Sequence, residues 1–239
     1  LIQPGGALIL HTGLEMKAHV PEGVKTYTYS RDEGDFHAAN IRIGDGKIVF
    51  DFVSPLETVT QVSLGHPVPI NIENSVATAE ELRRGMETYA GVERRFDFKI
   101  NNPRHVFLSD YGHHPKEILQ CAKSLRELYA HRKLTVIFQP HLYTRTRDFY
   151  ADFADALSHF DEVVLTEIYP AREQPIEGVT SKLIYDHLRE GVERTMIAKR
   201  DVAEWVGSRD FDVLVVLGAG DLNDYVPEIT RILEEKEKA

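Results

Sequence analysis

Four short apolar runs in the second half of the chain, "HVFLSD", "LTVIFQ", "EVVLTEI" and "DVLVVLGAG", constrain the fold more than any other feature. A strand covered on one face alternates apolar and polar residues, and these runs do not, so both of their faces must be buried. Segments with helical periodicity lie between them. After Pro115, Ile118, Cys121, Ala122, Leu125 and Leu128 fall at i, i+3, i+4, i+7 and i+10, a single apolar stripe. The helices "RDFYADFADALSHF" and "SKLIYDHLREGV", a short "TMIAK", then "DVAEWVG" and a final charged helix continue the alternation from about Phe96 onward. Such an order predicts a parallel sheet with helices on both faces. Ligands of these sheets bind beyond the carboxyl ends of the strands. The unusual loops "SDYGHHP", "QPHLYTRTRD", "EIYPAREQPIEG" and "GAGD" all fall there.

The first part of the chain has another rhythm. Alternating or β-branched runs appear at "ALILHT", "VKTYTYS", "FHAANIRI", "KIVFDFV" and "TVTQVSL", separated by Gly, Asp and Pro. The stretch "IGDGK" is a hairpin signal, because Asp-Gly accepts the positive φ of a tight primed turn. It is not a phosphate-binding loop, since the spacing and the following Ser/Thr are wrong. A charged helical segment, "TAEELRRGMETYA", closes this part. Two domains are expected, residues 1–95 and 96–239, with "VERRFDF" at the seam.

Composition removes several function classes. With 239 residues and 42% hydrophobic content, the chain has enough material for one large or two ordinary domains. A formal charge of −10 without a dense Lys/Arg run disfavours non-specific nucleic-acid binding. The one cysteine, Cys121, cannot form an internal disulfide and fits a reducing compartment. No apolar stretch approaches a membrane span, and no basic-then-apolar leader opens the sequence, so a soluble, cytoplasmic protein is expected. The opening "LIQPGG", which lacks an initiator Met, reads as the start of a piece cut from a longer chain.

The rim loops carry the candidate chemistry. In "SDYGHHPKE", Pro115 suits the first turn of a helix, and Asp110 or a histidine can cap it. A metal reading would use Asp110, His113 or His114, and Glu117, but no second ligand cluster completes it, so no metal site is expected. A third reading has the imidazoles donating to a carboxylate or phosphate. Arg145 in "PHLYTRTRD" can fork onto an anion, whereas Arg147 can pair with the adjacent Asp148. Arg94 and Arg95 at the seam are either surface charges or anion sensors. Two glycines in "GAGD" fall short of a dinucleotide fingerprint.

Taken in order and spacing, "GVERRFDF", "SDYGHHPKEI", "FQPHLYTRTRDFYADFADAL", "EIYPAREQPIEGVTS" and "LGAGD" resemble a Mur ligase over nearly the whole chain, more loosely in the first hundred residues. The resemblance implies the second half of a central ATPase domain followed by a whole Rossmann-like α/β C-terminal domain, with the P-loop and the Mg2+ ligands upstream of Leu1. It implies a ligase of peptidoglycan and cell-wall synthesis that uses ATP and Mg2+ to join L-alanine to UDP-N-acetylmuramate through an acyl phosphate. By the same resemblance Asn71 and Asn74 lie near the nucleotide base, Arg95 reaches phosphate, and Asp110 contacts the ribose. Tyr111, His113 and Arg145 match positions at the muramyl or amino-acid end, with Arg95 and His113 the residues closest to the chemistry, and His114 is left to structure.

The sequence also departs from the family pattern. Leu142 stands where an arginine is usual, Ser109 where an aspartate is usual and Ile70 where a histidine is usual, and the helix after Ala77 is short by about three turns on the usual length of a core helix. This piece by itself is expected to be inactive. The rival expectation is a nucleotide- or sugar-nucleotide-binding module without chemistry, and a weaker one is a metal hydrolase on His113, His114 and Glu117.

Overall fold

The computed structural model describes residues 7–14, 20, 22–76 and 92–238. The helix expected at "TAEELRRGMETYA" and the shortening expected after Ala77 lie outside the described residues. The chain divides into two compact units, Leu1–Gly91 and Val92–Ala239. Arg94 and Arg95 therefore belong to the second unit.

In the first unit β1 (Ala7–His11) and β2 (Lys25–Tyr29) pair in parallel. β3 (His37–Gly44), β4 (Lys47–Val53) and β5 (Thr58–Ser63) form an antiparallel meander. The β3–β4 connection is the tight hairpin its sequence predicts, with Asp45 at φ 49° and Gly46 at φ 67°. Two bulges interrupt this sheet, near Asn40 and near Gln61, both at positive φ. One carboxylate serves both. Asp51 accepts the Asn40 side-chain amide at 2.7 Å and the Gln61 backbone N–H at 2.8 Å, and these bonds hold its carboxyl below the ordinary range. A short helix, α1 (Ile70–Ser75), follows.

The second unit is a six-stranded sheet between two helical layers. Its strands are β6 (Asp97–Asn101), β7 (Val106–Asp110), β8 (Leu134–Phe138), β9 (Glu162–Leu165), β10 (Glu193–Met196) and β11 (Val213–Leu217). Spatial order is β10-β9-β8-β11-β7-β6. The helices are α2 (Pro115–Leu128), α3 (Tyr143–Leu157), α4 (Lys182–His187), α5 (Val202–Gly207) and α6 (Val226–Lys238). The expected apolar runs are the sheet's centre: every residue of β8, β9 and β11 is buried. Phe107, Ile137, Val164, Leu214 and Val216 turn to the face packed by Val202, Val206, Ile229 and Leu233. The α2 stripe of Ile118, Cys121, Ala122, Leu125 and Leu128 is buried throughout. Each such fully buried aliphatic or aromatic side chain contributes roughly 1.5–3 kcal/mol.

Three details depart from the sequence reading. The sheet is not wholly parallel, since β6 runs antiparallel to β7 at the edge. The helix expected over "SKLIYDHLREGV" stops at His187, because Leu188 turns extended at ψ 141°. The helix expected from "RDFYADFADAL" starts earlier, at Tyr143, and kinks at Phe149, whose φ of −126° and ψ of 15° lie outside the helix.

Chain order fixes where a crevice can open. From β7 through β8, β9 and β10 the chain steps outward, then returns to insert β11 between β8 and β7. Right-handed crossovers put the helices of the outward and return journeys on opposite faces. They part at β11, and a sheet of this type holds its ligands above that point.

Candidate functional site

Above the carboxyl end of β11 sits "GAG", whose two glycines let neighbouring loops come close to the backbone. Gly218 is at φ 145°, and a Cβ there would lie 2.9 Å from the Gln139 carbonyl oxygen. At Gly220 a Cβ would fall 2.8 Å from the Tyr169 ring. The loops after β7, β8 and β9 therefore meet across the top of β11. Their rings form a row: Tyr111 to His113 at 5.1 Å between centroids, His113 to His141 at 5.8 Å, and His141 to Tyr169 at 5.6 Å.

Cations flank the row. The Arg94 guanidinium lies 4.7 Å and the Arg95 guanidinium 5.5 Å from the Tyr111 ring centroid. Arg94 also donates to the Gly218 carbonyl at 3.3 Å, and Arg145 donates to the His113 carbonyl at 3.5 Å. Among the described residues, none of the sixteen ion pairs includes Arg94, Arg95 or Arg145. Arg147 differs: its Nε is 2.7 Å from Asp148. Three guanidinium groups outside any close ion pair among the described residues, beside two imidazoles, are chemically suited to an anionic ligand.

The backbone around these arginines is strained. Arg94 is at φ 60° and Phe96 at φ 49°, a conformation that costs residues other than glycine of order 1 kcal/mol or more each. Asp110 holds the turn. Its Oδ2 accepts the Phe96 N–H at 2.7 Å and its Oδ1 the Gly112 N–H at 2.6 Å, while Tyr111 N–H donates to the Arg94 carbonyl at 2.7 Å. Burial raises the Asp110 carboxyl above its ordinary value in spite of these two donors and of Arg95. Both oxygens thus already have a backbone partner.

The doubled histidine resolves into two environments. His114 begins α2. Its N–H and that of His113 both donate to Glu117 Oε2, at 3.0 and 2.9 Å, and its ring packs 5.4 Å from Phe149. Burial pushes the Glu117 carboxyl up, but those two N–H groups, His113 and Arg95 outweigh it and keep it low. Glu117 is spent on starting the helix, and among the described residues no three His, Cys, Asp or Glu side chains gather as a metal ion requires. His113 instead donates from Nδ1 to the Tyr111 carbonyl at 3.1 Å. His141, whose buried Nδ1 has no hydrogen-bond partner, has its pKa lowered by burial, then by Arg145 and His113. Sequence reasoning assigned His141 no role. Leu142, in the place of the usual arginine, sits at φ 73° and offers no side-chain cap to α3.

Asn71 and Asn74 belong to the first unit. Asn71 Nδ2 donates to the His66 carbonyl at 3.2 Å, and Asn74 Nδ2 to Asn71 Oδ1 at 3.4 Å. Sequence reasoning passed over Gln139, which is 1% exposed. Its amide donates to Asp221 and accepts from Leu222 N–H, both at 2.9 Å, and Asp221 also meets Lys199. That polar strut braces the turn after Gly220.

Comparisons with known proteins show the family and the fold. Residues 94–220 match the model of the Mur ligase, glutamate ligase domain. The chain is 59% identical, over 99% of its length, to a UDP-N-acetylmuramate–L-alanine ligase of Phocaeicola vulgatus, and 46% identical over 98% to one of Parabacteroides distasonis. It spans about half the length of these curated relatives, 54% and 53%. The crystal structure of a UDP-N-acetylmuramate–alanine ligase from Thermotoga maritima superposes with a TM-score of 0.67 at 23% identity, covering 89% of this chain and 48% of that one, a likeness of fold. The chain belongs to the Mur ligase family.

Proposed function

We propose that the chain is part of an ATP-dependent ligase that joins L-alanine to UDP-N-acetylmuramate in peptidoglycan synthesis. The observation that carries this reading is the 59% identity to a relative of that name across 99% of the chain. The arginines over the switch point, outside any ion pair among the described residues, supply a physical reason. Phosphoryl and acyl transfer need anions positioned and developing charge neutralised, and fixed guanidinium groups do both.

In this reading Arg95, exposed beside Tyr111, meets ATP phosphate, and Asn71 and Asn74 serve the nucleotide base. Asp110 orients the ribose through lone pairs left after its two backbone bonds, and it also holds the arginine turn. Tyr111, His113 and Arg145 bind the muramyl and amino-acid carboxylates. Because His113 donates from Nδ1 to a backbone carbonyl, its neutral ring presents Nε2 as an acceptor, suited to an incoming amine; protonated, it would donate to a carboxylate. Mg2+ would neutralise the nucleotide's phosphates. The residues described in the second unit do not form a set to hold it. A cytoplasmic setting fits a nucleotide-consuming enzyme, and no described helix is long and apolar enough to cross a membrane.

The test is L-alanine-dependent phosphate release from ATP and UDP-N-acetylmuramate by the full-length protein that contains this chain. Release is expected from that protein and not from residues 1–239 alone. A full-length protein that binds nucleotide without turnover would support the non-catalytic binding module instead.

A further inference from the structure

We propose that Glu173 is a positioning residue of this site: from the loop after β9 it caps the start of α3 and holds Arg145 where a substrate anion meets it. The assignment rests on the ligase reading above. An α-helix begins with N–H groups that have no partner within the helix, and a Ser, Thr, Asp or Asn just before the first turn ordinarily accepts one of them. Leu142 occupies that place and has nothing to offer. Glu173 supplies the acceptors from a neighbouring loop. Its Oε2 takes the Thr144 N–H at 3.0 Å and its Oε1 the Thr144 hydroxyl at 2.5 Å.

This capping contact ends a longer seam. Beyond the last residues of β8 and β9, Thr166 N–H donates to the Phe138 carbonyl at 3.1 Å, Tyr169 N–H to the Pro140 carbonyl at 2.8 Å, and Leu142 N–H to the Tyr169 carbonyl at 3.0 Å. The β8–β9 pairing therefore continues into the two loops, and Glu173 fastens its far end to the helix that carries Arg145. The hydroxyl and N–H of Thr144, together with the Tyr143 N–H, hold the Glu173 carboxyl below its ordinary range, so it is ionised at neutral pH. A chemical consequence follows. The anion at the start of α3 is the protein's own, so a substrate carboxylate is left to Arg145 and the imidazoles and does not compete for the helix terminus.

In the full-length ligase, Glu173→Ala is expected to raise KM for the muramyl or amino-acid substrate about 10- to 100-fold, the scale of a small misplacement of a binding group. KM for ATP and the thermal midpoint are expected to stay near wild type. Glu173→Gln keeps an acceptor for Thr144 and is expected to recover most of the loss. On the 239-residue chain itself, Glu173→Ala should speed Thr144 amide exchange and lower the pH midpoint of His141 further, since Glu173 is the charge that partly offsets its lowering. If the wild-type ligase lacks activity, the functional reading fails, and the two measurements on the chain still decide the capping role. Unchanged exchange at Thr144 would overturn the proposal. So would faster exchange with unchanged KM values, or a collapsed thermal midpoint with all kinetic constants lost together.

Discussion

The two rims of one sheet treat their charged side chains differently. At the amino ends of the strands, charges are matched. Glu162, buried at the start of β9, is shared by Lys133 at 3.0 Å and Arg209 at 2.9 Å, Lys133 also reaches Glu193 at 2.8 Å, and Arg126 meets Asp161 at 2.9 Å. Arg132 spends its guanidinium on the carbonyls of Arg104 and Asp212, at 2.9 and 2.6 Å. At the carboxyl ends, Arg94, Arg95 and Arg145 rest on rings and carbonyls, over a backbone that includes Arg94, Phe96 and Leu142 at positive φ. One rim closes its own electrostatics, and the other, where Lys199 pairs with Asp221, still leaves three arginines outside any ion pair among the described residues. In the proposed reading, stability and function are thereby separated to opposite edges of a single sheet.

That separation can be broken by substitution. The largest effect is expected from Arg145→Ala in the full-length ligase, a fall in kcat/KM of about two to three orders of magnitude, equivalent to roughly 3 kcal/mol of lost charge-assisted contact. Its urea midpoint should stay put; an unchanged kcat/KM would return Arg145 to an ordinary surface charge. Glu162→Gln should do the reverse. It is expected to cost about 2 kcal/mol of stability, discounted because Lys133 and Arg209 keep access to water, with substrate affinity intact.

Asp110→Asn tests whether the functional rim also carries load. One of its two backbone donors would face an amide N–H, so a loss of about 1–2 kcal/mol is expected in chemical denaturation, with KM for ATP raised as the arginine turn loosens. Next in size is the pH response of His141. Because its folded pKa lies below the unfolded value near 6.5, the folded domain binds fewer protons there. Its share of stability is whole above that unfolded value and is lost as pH falls through the folded one. An NMR titration of His141 with a midpoint at or above 6.5 would refute this. Smallest of all, Arg147→Ala should leave stability and kinetics near wild type, as exposed pairs do.

The parts of this molecule legible in sequence are those in which local pattern and burial coincide. The runs of β7, β8, β9 and β11 have no polar face to show, and the α2 stripe repeats with the helical period, so elements and layering follow from residues alone. The rim loops were also marked by their own chemistry, and the Asp-Gly hairpin by its turn requirement. What could not be read is long-range. β6 pairs antiparallel because it returns to β7 across a short turn, and "DFKIN" looks the same in either direction. Gln139 and Glu173 act on residues 82 and 29 positions away, and no local spacing signals such partners. A weak clue existed for Glu173: a helix whose first residue follows Leu142 has no cap of its own, so an acid in an adjacent rim loop was owed to it. Arg94 could be read as a surface charge or as an anion sensor, because its partner carbonyl at Gly218 lies far along the chain.

β11, inserted between β7 and β8, sets a schedule for synthesis. A ribosome delivers the two strands that carry "SDYGHHP" and "PHLYTRT" about eighty residues or more before the strand that separates them. Until residues 213–217 emerge, β7 and β8 have no hydrogen-bonded neighbour on those edges, and the rings of the site have no floor to meet over. The nascent chain must therefore keep two apolar edges apart until β11 emerges. A protein of this topology is exposed to mispairing late, and its earliest helices, α2 and α3, are the cover available to it in the interval.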